Sequence, residues 1–105
     1  MADRIQQLIA FYNDDPQDPF NIYALALEYL KSDLTKAKAL FDELLQNHQN
    51  YIPTYYHAAK LYQELNEREK AIAVYEKGLE VMKRMQDNKA WRELNSAYQE
   101  FIFED

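Results

Sequence analysis

The stretch "AVYEKGLEV", Ala73–Val81, contains Gly78, the only glycine in the 105-residue chain. Its neighbours are good helix formers with apolar residues at helical spacing, and glycine inside a helix costs roughly 1 kcal/mol relative to alanine. A chain that avoids glycine elsewhere has a reason to place one there if another helix must approach that backbone closely. Sliding the sequence along itself supplies the context. Ala37 and Phe41 recur as Ala71 and Tyr75, 34 residues later in both cases, and Leu44 recurs as Gly78 at the same shift. In the preceding segments, Leu25-Ala26-x2-Tyr29 recurs as Ala58-Ala59-x2-Tyr62, shifted by 33. The one-residue difference falls in the turns, "KSD" being shorter than "ELNE".

Composition agrees with a helical reading. Apolar residues make up 48% and aromatic residues 14%, while one glycine and three prolines leave little turn chemistry for β-hairpins. The length suits one domain with a modest core. Six amphipathic segments follow from apolar spacing and capping residues, near 4–13, 19–31, 34–47, 53–65, 67–85 and 88–102. Asp3 is the expected N-cap of the first, Asp18 with Pro19 starts the second, and Ser32-Asp33 ends the second and caps the third. Asn66, with Glu69 three residues on, reads as a capping-box start for the fifth. Around "MQDN", 85–88, nothing in the sequence forbids a continuous helix. Connections of two to six residues fold successive helices back on one another.

A 34-residue period built from two helices, with small residues at fixed places, resembles the tetratricopeptide repeat (TPR) family. The opening of another first helix is visible in "WRELNSAY", 91–98, and the second helix of an earlier unit in "LIAFYNDDP", with Pro16 at the closing position. The resemblance covers nearly the whole chain and is strongest over 19–81. It divides the chain into an N-terminal half repeat (1–17), two full repeats (18–51 and 52–85) and a C-terminal capping helix (86–105). Departures are Gln49 in place of the closing proline, bulky Leu44, small Ala58, and Asn95 where Gly or Ala is usual. The resemblance implies an all-α fold, a right-handed α-α superhelix of antiparallel helix pairs. Single repeats cannot bury their apolar faces, so the two full and two half units are expected to make one compact module. Gly78 is then a small-residue position facing the next unit, with Trp91 its expected neighbour.

Charge and motifs exclude several function classes. Net charge is −6, and no basic stripe with interleaved aromatics offers a nucleic-acid surface. No window reaches the roughly 18 apolar residues of a membrane span, and the N-terminal stretch is acidic where a signal peptide needs a basic start. With no cysteine, thiolate metal and disulfide chemistry are absent. His48 and His57 lie nine residues apart across a turn and do not share a helix face. The "DDPQD" segment lacks the central glycine and distal glutamate of a calcium loop, and one glycine cannot build a phosphate cradle. The expectation is a cytoplasmic, non-catalytic protein with no cofactor, no metal site, no nucleic-acid partner and no membrane partner.

The TPR resemblance implies a concave groove lined by first helices, which takes a peptide or a partner domain. Counting along the repeat places Phe20, Tyr23, Leu27 and Lys31 on that face in the first copy, and Tyr56, Lys60, Gln63 and Glu64 in the second. The competing expectation is that Phe20 and Tyr23 pack on the first helix. Family members that hold the acidic C-termini of heat-shock chaperones use lysine and asparagine on this face. Here Tyr23, Ala24 and Leu27, then Tyr56, His57 and Lys60, stand at the corresponding positions, which argues against a two-carboxylate clamp. In the last segment, Trp91, Leu94 and Tyr98 are expected to cover the fifth helix. Phe101, Ile102 and Phe103 then form a candidate second interface, for a partner or a weak homodimer. A self-assembling structural protein joined through its terminal helices is the alternative to a monomeric interaction module.

Overall fold

The computed structural model describes residues 3–104, which fold into six α-helices with no strand among them. The helices are α1 (Arg4–Asp14), α2 (Pro19–Tyr29), α3 (Leu34–Asn47), α4 (Thr54–Glu64), α5 (Arg68–Arg84) and α6 (Asn88–Ile102). Each matches its sequence-derived segment to within two residues. The chain gathers into two compact units that divide between Thr54 and Tyr55.

In the first unit, α2 packs against both α1 and α3. Asp3 caps α1 by accepting a hydrogen bond from the Gln6 amide at 3.0 Å. A turn over Asp15-Pro16-Gln17-Asp18, with the proline at its second position, links α1 to α2 and is closed by the Asp18 amide donating to the Asp15 carbonyl at 3.3 Å. Asp18 then caps α2 through the Phe20 amide at 2.9 Å, with Pro19 at the first helical position, where a missing N–H costs nothing. The Asn21 side-chain amide donates to the carbonyls of Phe11 and Asp15, which also accept from the Asp15 and Asp18 amides, and so ties the start of α2 to the end of α1. Asp33 caps α3 through Lys36 at 3.1 Å. The core consists of Leu8, Ile22, Leu25, Ala26, Ala37, Leu40, Phe41 and Leu44.

The second unit repeats this construction. Ala59, Ala71 and Tyr75 are fully buried, as are Ala26, Ala37 and Phe41 at the corresponding positions of the first unit. A shared contact marks the same register. Lys36 of α3 lies over the Tyr29 ring of α2 at 5.4 Å, and Lys70 of α5 lies over the Tyr62 ring of α4 at 5.7 Å.

The turns explain the change of shift from 33 to 34. The α2–α3 turn closes with the Ser32 and Asp33 amides on the Tyr29 carbonyl. Tyr62, the counterpart of Tyr29, lies one residue further from the start of α5 than Tyr29 does from the start of α3, and this longer path passes through Asn66, which adopts a left-handed conformation at φ 60°. There the Glu67 amide reaches the Tyr62 carbonyl and the Asn66 amide reaches Gln63, the paired bonds of a Schellman ending. Asn66 therefore terminates α4 and does not cap α5. The N-cap of α5 is Glu67, which makes no side-chain capping bond, although Glu69 does sit in the first turn. The α5–α6 junction uses the same device. Gln86 is left-handed at φ 61°, Asp87 donates its amide to Met82, and the Asp87 side chain caps α6 through Ala90 at 3.0 Å. This ending breaks the helix that the sequence around "MQDN" leaves open.

Gly78 lies at the crowded centre of the second unit. A Cβ there would come within 2.7 Å of Leu94 Cδ2, 2.7 Å of Tyr55 Cβ and 2.8 Å of Tyr55 Cγ. The missing side chain therefore admits α4 and α6 together against α5. The neighbouring helix is the expected one, but the contacting side chains are Leu94 and Tyr55, both buried, while Trp91 is only half-buried. Trp91 lies near the start of α6, and Leu94, one turn further, faces the glycine.

Candidate functional site

Proline at the first position of α2 and the Asp18 cap fix where α2 begins, and hence which of its residues turn inward. Ile22, Leu25 and Ala26 go to the core. The opposite face carries Phe20, Tyr23, Ala24, Leu27, Glu28 and Lys31, and with Arg4 of α1 these residues line a cleft of about 340 Å³. The four residues expected on the groove face of the first copy, Phe20, Tyr23 and Leu27 of α2 and Lys31 just beyond it, thus border a single hollow. Phe20 is 60% exposed, so it does not pack away on α1. Tyr23 is half-buried, its ring edge-on to Tyr51 at 5.6 Å, and burial with the nearby Tyr51 hydroxyl raises its pKa above the ordinary phenol value. That packing presents the Tyr23 ring as part of a firm wall.

The rim of this cleft is charged. Glu28, with its side chain only 18% exposed, forms an ion pair with Arg4 Nε at 3.4 Å and accepts from Lys31 Nζ at 3.3 Å. Counting along the repeat misses Arg4, because it comes from the preceding helix. Glu28 is missed because it sits beside the positions counted, and the packing of α1 on α2 brings Arg4 to it.

In the second unit, the corresponding residues occupy α4. Tyr56 is 42% exposed, with Lys60 Nζ 5.8 Å from its ring centroid and His57 edge-on at 5.6 Å. Burial lowers the His57 pKa, which favours neutral imidazole. Glu64 is exposed. Gln63 has structural work, since its side-chain oxygen accepts from the Tyr75 hydroxyl at 2.9 Å and ties α4 to α5. Burial pushes the Tyr75 phenol up to about 12.

The proposed C-terminal patch changes. Phe101 is buried, 5.8 Å from the Tyr75 ring and covered by the Arg68 guanidinium at 4.8 Å, so it belongs to the core and cannot serve as a surface contact. Apolar burial is favourable, and α6 turns Leu94, Ala97 and Phe101 inward on one face. Tyr98 lies between them and the surface, tilted over Tyr75 and donating to Glu76 at 2.8 Å. Ile102 is half-buried and Phe103 is 78% exposed.

Comparison with solved structures places this arrangement. A tetratricopeptide repeat domain protein from Salinibacter ruber, determined in solution by NMR, is 41% identical, with a TM-score of 0.81 over 87% of this chain and 93% of that one. The crystal structure of a tetratricopeptide repeat domain protein from the same organism is 39% identical, with a TM-score of 0.79 over 84% of this chain and all of that one. The chain belongs to the tetratricopeptide repeat family. No protein-family model matches it, and no curated protein does. The TPR assignment accounts for the small residues at Ala26, Ala37, Ala59 and Ala71, where helices meet closely. Among the described residues, no helix is long and apolar enough to cross a membrane.

Proposed function

We propose that this TPR protein is a non-catalytic protein-interaction module that captures a peptide or partner domain on the exposed faces of its first helices, α2 and α4. The observation that carries this reading is the α2 cleft. Phe20 and Leu27 line it with apolar surface, Tyr23 packs edge-on against Tyr51, and the charged groups Arg4, Glu28 and Lys31 border it. An apolar centre with a polar border is the composition of a protein-recognition patch. In the second unit, Tyr56 beside Lys60 supplies an amphipathic surface of the same kind. A cytoplasmic location suits such a module.

Phe20→Ala and Tyr56→Ala test this reading. Both residues are substantially exposed, so their loss leaves the core intact. The variants should keep the parent's circular dichroism and melting temperature but lose partner retention in quantitative affinity capture from native cells. Unchanged retention by the folded double variant contradicts the reading.

Phe103 favours a second reading. Among the described residues it is the most exposed of the large apolar side chains, at the end of α6 beside half-buried Ile102, and supports weak self-association through the C-terminal helix. Sedimentation over a range of concentrations decides this, and a strict monomer removes it.

A further inference from the structure

Two cations converge on one carboxylate at the α2 cleft. Arg4 and Lys31 both contact Glu28, and their own side chains remain 65% and 71% exposed. By contrast, Lys70 pairs with Glu67 at the start of α5, and Lys77 pairs with Glu80 further along it. The triad at the cleft therefore carries a surplus positive charge on a chain whose net charge is −6. That surplus borders the apolar surface of Phe20, Tyr23, Ala24 and Leu27.

We infer that the cleft takes a partner segment in which an apolar side chain lies next to an acidic one, a conclusion that rests on the interaction-module reading above and specifies the partner's chemistry. The apolar side chain lies on Phe20 and Leu27 beside the fixed Tyr23 ring. The adjacent carboxylate accepts from Arg4 and Lys31, which Glu28 holds at the rim and only partly neutralises. One carboxylate is accommodated in this way, in contrast to the pair held by the clamp of chaperone-binding relatives. Glu28 thus acts as an internal competitor for the cations.

The test uses two synthetic probes, acetyl-Asp-Leu-Phe-Asp-Leu-amide and its isostere with asparagine in place of both aspartates, titrated into isotopically labelled protein and followed by NMR. The acidic peptide is expected to shift the amides of Ala24 and Leu27 and to bind about threefold to tenfold more tightly than the isostere, an advantage lost in molar salt. Arg4→Gln and Lys31→Gln should each reduce that advantage. Glu28→Gln should increase it, which a purely structural role for Glu28 does not predict. Equal binding of both peptides at the cleft overturns the acidic specificity and leaves the interaction reading standing. Shifts from neither peptide at the cleft overturn both.

Discussion

Replacing Gly78 by alanine sets two effects of opposite sign against each other. Helix propensity alone predicts a gain of about 1 kcal/mol, because α5 runs uninterrupted through the position. Packing predicts a loss. The added methyl would lie 2.7 Å from Leu94 Cδ2 and 2.7 and 2.8 Å from the Cβ and Cγ of Tyr55. Leu94 could rotate its terminal methyl, but Tyr55 Cβ is anchored to the α4 backbone and its ring is fully buried. Relief therefore requires α4 to move away from α5, and overpacking of this kind costs about 1–3 kcal/mol. With two of the three clashes at the root of a fixed side chain, the upper part of that range applies, and the net effect is a destabilisation of about 1–2 kcal/mol.

Urea unfolding followed by far-UV circular dichroism measures this as a midpoint lowered by roughly 0.5–1 M. Ala73→Gly, at an exposed position on the same helix, provides the control and should lose about 1 kcal/mol through propensity alone. Glycine is then the better residue at one position of α5 and the worse at another five residues away. Gly78→Ala at or above the parent's stability, with an unchanged slope, refutes the close-approach argument.

Other expectations follow from the turns, the buried phenol and the C-terminal segment. Gln86→Gly should stabilise by about 0.5–1 kcal/mol, because glycine adopts the left-handed conformation at φ 61° without the penalty a glutamine bears; thermal unfolding measures the gain. The raised Tyr75 pKa favours the protonated phenol in the folded state, so its contribution is complete below the unfolded value of 10 and is lost as pH rises from there through about 12. Tyr75→Phe should cost about 1 kcal/mol at neutral pH through the lost bond to Gln63, and should reduce the decline in stability over that alkaline window. Phe101→Ala should cost about 3–5 kcal/mol by emptying a core position, whereas Phe103→Ala should change stability by less than about 0.5 kcal/mol; paired urea titrations compare them.

The helices were legible because local signals agreed with one another. Asp3, Asp18 and Asp33 act as the caps their spacing implies, and the alanine–aromatic pattern places Ala26, Ala37, Ala59 and Ala71 in the core. The misreadings arose where two local meanings competed or where tertiary packing decided. Asn66 is a good N-cap residue and also one of the few that tolerates the left-handed region, and the backbone of the longer turn selects the second use. Gln86 carries no comparable signal, so the break before α6 had to come from packing and the Asp87 cap. The glycine's neighbours depend on the rotation of α4 and α6, which periodicity fixes only to within a residue or so. The cleft was half legible: four lining residues follow from repeat counting, but Arg4 and Glu28 enter through a contact between α1 and α2 that no single-helix pattern contains. Phe101 was expected on a surface patch with Ile102 and Phe103, and the structure instead buries it on the inward face of α6.

The central claim is that the α2 cleft receives the partner. A peptide selected from an unbiased display library against the whole protein, then mapped by chemical-shift perturbation, tests it most directly. The account predicts shifts concentrated at Phe20, Tyr23, Ala24 and Leu27, with affinity lost in Phe20→Ala. A peptide that binds tightly while perturbing only residues around Phe103, and that is retained by Phe20→Ala, contradicts it.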